Sequence, residues 1–167
     1  MPVTPVTDVD LDRLRDAIAV SHRARARGNH PFGAVLAGPD GSVVLEAENT
    51  VTTGNDVTGH AETNLVRLAW QAIGSGAGGD LTLSECTLYT SCEPCAMCSG
   101  AIYWSGIGRV VWAMTEAQLA GLTGDHDENP TMSLSSETVL NSGQRVIPVA
   151  GPALAEEAVE AHRGFWV

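Results

Sequence analysis

No lysine occurs anywhere in the 167 residues, and all nine basic side chains are arginine. That absence removes a lysine Schiff base and a phosphate-loop lysine from the catalytic devices open to the chain. No apolar run approaches the ~20 residues that a bilayer-spanning helix requires. The opening Met1-Pro2-Val3-Thr4 lacks the basic-then-apolar layout of an export signal. A cytoplasmic protein with no membrane partner is therefore expected. In that reducing setting the four cysteines read as metal ligands sooner than as disulfides.

Positive charge is scarce too. Twenty acidic residues against nine arginines leave a net charge of −11. A large polyanionic partner is disfavoured, because sequence-independent nucleic-acid affinity comes from basic side chains on phosphates. The one basic cluster, Arg23, Arg25 and Arg27, reads as a solvated face or as the last turn of a helix complementing its dipole. A local RNA-binding patch is the alternative reading of those three arginines.

What is present is an ordinary globular balance, 44% hydrophobic and 17% charged, in a length that suits one domain over residues 1–167. No repeat or long linker divides it. Asp8 or Asp10 caps a helix carrying Leu11, Leu14 and Ile18 on one face and ending near Gly28. Two apolar runs, 33–37 and 42–47, flank Gly38-Pro39-Asp40-Gly41, a hairpin signal. A polar loop over 49–59 leads into a helix over 60–73, followed by a glycine-rich surface loop. Thr87 to Thr90 reads as a strand, and Pro94 as the first residue of the next helix. A strand over 110–113, a helix from Thr115, a short strand over 146–149 and a helix over 153–162 complete the chain. Strands alternating with helices after a hairpin predict an α/β fold with helices on both faces of the sheet.

The chemistry concentrates in two segments, His60-Ala61-Glu62 and Pro94-Cys95-Ala96-Met97-Cys98. Cys95 and Cys98, three residues apart at a helix start, can turn both sulfurs to one point, and the helix N-terminus favours their thiolate forms. With His60 they make three zinc ligands, the number that leaves a fourth position for water in catalytic sites. Glu62, two residues from His60, can reach that water without ligating the metal. A carboxylate so placed takes a proton from water and hands it to a ring nitrogen and a leaving amine. This order of histidine, glutamate and paired cysteines is a signature of zinc nucleobase deaminases.

Other readings compete. Cys92, Cys95, Cys98 and His60 would make a closed structural site, yet Glu93 before a proline should be extended and hold Cys92 back on the strand. Cys86 reads as a small buried strand residue. His22, His30, His126 and His162 have no ligand spacing and read as surface or packing residues. A non-catalytic zinc-stabilised interaction module is the rival from another class.

On these motifs the chain resembles the cytidine deaminase-like superfamily, from about Ala24 to Leu122. Pro31-Phe32-Gly33-Ala34-Val35 is similar to the family's first strand, and the stretch from Asn49 to His60 to the loop entering the zinc helix. The stretch from Ser91 to Trp104 most resembles bacterial guanine deaminases, with tRNA adenosine deaminases sharing much of it. The resemblance implies a three-layer α/β/α fold with a central mixed sheet of about five strands, Zn2+ as cofactor, and a homodimer. It also implies that Asn49, the Ala61 N–H, Phe32 and Trp104 contact the substrate. For the two aromatics core packing is the alternative, and for Asn49 an ordinary turn. Guanine deaminases of this kind carry Gly-Phe-Asp-Asp, whose aspartate reads the purine. Here Gly121-Leu122-Thr123-Gly124-Asp125 stands in that region, making Asp125 the nearest candidate. Their C-terminal segment covers the active site, so Phe165 or Trp166 is expected over the pocket, a docked hydrophobic tail being the alternative. The expected reaction is hydrolytic deamination of a small heterocyclic amine, with guanine favoured. Cytosine, a nucleoside or an amino-triazine comes second and tRNA adenosine third.

Overall fold

The computed structural model describes residues 4–167. Met1, Pro2 and Val3, on which the reading of the N-terminus partly rests, lie outside the described residues. The architecture is a five-stranded sheet in the order β2-β1-β3-β4-β5. The strands are β1 (Gly33–Ala37), β2 (Val43–Glu48), β3 (Thr87–Cys92), β4 (Arg109–Met114) and β5 (Val149–Ala150). β1 pairs antiparallel with both β2 and β3, whereas β3, β4 and β5 run parallel. This is the mixed sheet expected.

Helices cover both faces: α1 (Asp8–Ala26), α2 (Val51–Gly54), α3 (Ala61–Ala69), α4 (Ala96–Ser105), α5 (Glu116–Thr123), α6 (Ser136–Leu140) and α7 (Ala155–Val159). Strand alternation sorts the core into two layers. Ala34, Leu36, Leu88 and Val110 face Leu65 of α3 and Ile102 of α4. Their neighbours Val35, Ala37, Tyr89 and Val111 face Leu14 and Ile18 of α1 and Ala158 of α7. Gly33 permits the approach of α1, because a Cβ there would lie 2.5 Å from the Ala17 carbonyl oxygen. Among the described residues no helix is long and apolar enough to cross a membrane.

Local chemistry explains the element ends and corrects several expectations. Thr7, not Asp8 or Asp10, caps α1; Asp10 completes the capping box by accepting from the Thr7 N–H. Pro94 lies before α4 rather than opening it, since the first helical bond runs from the Ser99 N–H to the Cys95 carbonyl. Cys95 is therefore the N-cap. The hairpin closes through Gly41, at φ +79, with Asp40 accepting from the Ser42 N–H at 3.0 Å. The last strand shrinks to Val149–Ala150. Ser135 accepts from the Thr138 N–H to cap α6.

Candidate active site

The ends of β2, β3 and β4 converge on one cavity, and two helix starts supply its metal-binding atoms. His60 is the N-cap of α3 and Cys95 the N-cap of α4, with Cys98 one turn further on. Nδ1 of His60 lies 3.7 Å from the Cys95 sulfur and 3.6 Å from the Cys98 sulfur. The three ligand atoms all lie within 4.8 Å of one another. Tetrahedral zinc, with bonds of ~2.3 Å to sulfur and ~2.1 Å to nitrogen, requires nitrogen–sulfur edges of roughly 3.6 Å. The donor set and its spacing fit zinc.

The electrostatics suit a cation. Cys95 ionises well below an ordinary thiol because the Cys98 S–H, and then His60, hydrogen-bond its thiolate. Cys98, next to that charge and buried, is pushed well above it. Cys92 is not a fourth ligand: its sulfur sits at the end of β3, 3.8 Å from the Glu116 carboxylate, and burial raises its thiol. Among the described residues the metal-competent group is His60, Cys95 and Cys98, which leaves a tetrahedral cation one open position.

Glu62 lies in the first turn of α3 and is 5% exposed. The Thr90 hydroxyl donates to its Oε1, and the Cys98 sulfur is 3.5 Å from its Oε2. Burial raises its pKa, opposed by the Thr90 hydrogen bond and the His60 charge. The result is an oriented carboxyl beside the metal ligands, with its proton affinity enhanced.

The cavity above these groups has a volume of about 580 Å³, the size of a small-molecule site. Phe32 and Asn49 line one side, Glu116 and Leu119 the other, and residues 127–132 contribute an outer wall. Asn49 is buried and lines the cavity; its Oδ1 accepts from the Val51 N–H, so the amide nitrogen keeps its donors. Ala61 is buried and is not itself in the cavity lining, but it lies between His60 and Glu62, which are, and its N–H is one of the free donors at the start of α3.

Other expected contacts fall elsewhere. Trp104 is 79% exposed and borders a different groove with Trp70 and Arg145. At ~100° per residue it stands about half a turn round α4 from Cys95, on the opposite side. Asp125 is exposed and outside the cavity lining; the turn closed by Asn129 N–H to the His126 carbonyl brings Asp127 and Glu128 there instead. Phe165 and Trp166 are outside the cavity lining, and Trp166 packs against residues that form it. The Trp166 ring lies 5.4 Å from His30 and 6.2 Å from Phe32.

Three residues the sequence reading missed also belong here. His30 lines the cavity and meets Glu128 at 3.1 Å. Glu93 accepts from the backbone N–H groups of Glu116 and Ser136, tying down the starts of α5 and α6. Glu116 follows β4 much as Cys95 follows β3, and burial, then the charges of Cys95 and Glu62, push it up to about 7. Its place at the carboxyl end of a parallel strand was the available signal.

Fold and site together define a zinc-site deaminase that acts by hydrolysis. Residues 8–114 match the family described as the cytidine and deoxycytidylate deaminase zinc-binding region, and the chain belongs to that family. A protein of Schizosaccharomyces pombe described as a probable cytosine deaminase is 42% identical over 99% of this chain and 98% of its own length. The guanine deaminase of Bacillus subtilis is 47% identical over 54% of this chain and 56% of its own. The crystal structure of NE0047 bound to 2,6-diaminopurine superposes with a TM-score of 0.77 at 26% identity, covering 96% of this chain and 83% of that one.

Proposed function

We propose that the protein hydrolyses the exocyclic amino group of a free nucleobase, releasing ammonia, with guanine as the leading substrate. The observation that carries this reading is the buried, Thr90-oriented Glu62 carboxyl beside an incomplete His60–Cys95–Cys98 ligand set, at the floor of an open cavity. A purely structural zinc module has no use for either feature.

Zinc, when bound, supplies a Lewis acid that makes water a nucleophile at neutral pH. Glu62 takes the water's proton, delivers it to the ring nitrogen next to the reacting carbon, and carries a second proton to the departing amine. Water and the amine thus become a carbonyl group and ammonia. Phe32 packs the ring, the Asn49 amide donates to an acceptor on its edge, and the Ala61 N–H offers a second donor. No arginine is among the residues lining the cavity, and the chain has no lysine. A nucleotide phosphate would find no arginine or lysine partner there, which supports a base or nucleoside over a nucleotide.

Likeness to the Bacillus guanine deaminase at the zinc motifs supports guanine; the near full-length likeness to the Schizosaccharomyces protein supports cytosine as the second reading. Editing of tRNA adenosine ranks third, given the charge of −11. The reading also takes the protein as a cytoplasmic homodimer, for which the exposed Trp104 and Trp70 offer apolar surface. The test is ammonia release by zinc-loaded protein from guanine, cytosine, adenine, their nucleosides and nucleotides, amino-triazines and tRNA. Turnover of guanine ahead of the others is expected. Preference for cytosine would replace the purine assignment, and silence on every small molecule would overturn the reading.

A further inference from the structure

Glu116 is held firmly, yet among the described residues its carboxylate meets only one weak donor. Its backbone is fixed as the first residue of α5, where its N–H donates to Glu93 at 3.1 Å. Thr115 caps the helix and forms a reciprocal box with Gln118. The carboxyl end is half-buried in the cavity. Its one hydrogen-bond neighbour there is the Cys92 thiol, a weak donor at 3.8 Å.

The other acids lining the cavity are accounted for. Glu62 accepts from Thr90, and Glu93 from two backbone N–H groups. Glu128 meets His30, and Asp127 is exposed to solvent. Among the described residues Glu116 forms no ion pair. Its position in the first turn complements the helix dipole, but an outward-pointing glutamate would do that without desolvation. A partly buried carboxyl with only a weak thiol donor carries a cost that a ligand can remove, and such sites discriminate strongly between ligands that supply a strong donor and ligands that do not.

The sheet order places this group opposite Asn49. Asn49 follows β2 and Glu116 follows β4, with β1 and β3 between them. Three strand spacings of ~4.8 Å set those strand ends roughly 14 Å apart. Two side chains reaching inward from there leave room for one flat heterocycle. Resting on the free-base reading above, we propose that Glu116 is a specificity-determining residue whose carboxylate accepts a hydrogen bond from a ring N–H of the base, on the side facing away from Asn49. The cavity then selects bases that keep that N–H and rejects those in which carbon replaces the hydrogen, nucleosides included when the glycosidic nitrogen is the donor.

The test is calorimetric binding of guanine, cytosine and their ring-N-methylated derivatives to zinc-loaded Glu62→Ala protein, alone and combined with Glu116→Gln or Glu116→Ala. Methylation at the contacted nitrogen should weaken binding about thirtyfold or more in the parent. With Glu116→Ala that penalty should shrink to about threefold, and Glu116→Gln, which keeps a neutral acceptor, should lie between. Equal penalties in all three proteins would overturn the proposal, as would loss of zinc from either Glu116 variant or failure of every base to bind the parent. Because binding is read without turnover, a failure of the deamination reading shows separately, as absent ammonia release from the wild-type protein.

Discussion

The indole N–H of Trp166 donates to Nδ1 of His162 at 3.1 Å, and the two ring planes lie 17° apart. Nε2 of His162 is buried with no hydrogen-bond partner among the described residues. Burial, then the charges of Arg25 and His22, lower the His162 pKa from 6.5 to about 4. Its folded value thus lies below its unfolded one, so the folded state favours neutral imidazole. The stability tied to that neutral form is complete above pH 6.5 and is lost as pH falls toward 4, by about 3 kcal/mol at most. The melting temperature should drop across that window, and His162→Asn should flatten the drop.

The same contacts give the C-terminal aromatics a supporting role rather than that of a lid. Trp166 packs against His30 and Phe32, and both of those residues line the cavity. Trp166→Ala should cost about 2–3 kcal/mol of stability, as loss of a large packed side chain does. It should also raise KM for the base by about tenfold while zinc content is unchanged. Steady-state kinetics with metal analysis checks this, and kinetics identical to wild type would show that the tail is merely docked.

A third consequence concerns acid stability. Asp10 is 1% exposed and accepts from Arg109, Tyr89 and the Thr7 N–H. Burial acts to raise its pKa, but the hydrogen bonds from Arg109, Thr7 and Tyr89 outweigh it and bring the value to about 2. A folded pKa below the unfolded one means stability that is present above about 4 and lost as pH falls through about 2. Asp10→Asn should cost about 3 kcal/mol, because it leaves Arg109 without its charge partner. Thermal melts at pH 7 and pH 3 would check both points, with the variant's deficit shrinking in acid.

The zinc motif was legible in sequence because its parts are local: a histidine and two cysteines at helix starts, each following a strand or loop that sets its direction. The Gly38-Pro39-Asp40-Gly41 hairpin was legible for the same reason, whereas the caps were displaced: Thr7 rather than Asp8 or Asp10 caps α1, and Cys95 rather than Pro94 begins α4. Trp104 was assigned to the pocket by resemblance, although helical periodicity from Cys95 already pointed it away. Asp125 was the nearest candidate by position, but an irregular turn rather than a repeat decides which acid reaches the cavity, and it is Asp127. His30 and Glu128 meet across 98 positions of sequence, and no local pattern announces such a pair. Glu116 was hidden by its ordinary place in a first helical turn, where acids are common.

The measurement that tests the central claim most directly pairs zinc analysis with ammonia release for wild-type protein and Glu62→Ala. One zinc per chain in both proteins is expected, with turnover of a free base in the wild type and at least a ~10³-fold loss in the variant. Cys98→Ser, assayed alongside, should lose the metal and the activity together. Normal turnover by Glu62→Ala, or zinc retained in full by Cys98→Ser, would contradict the account.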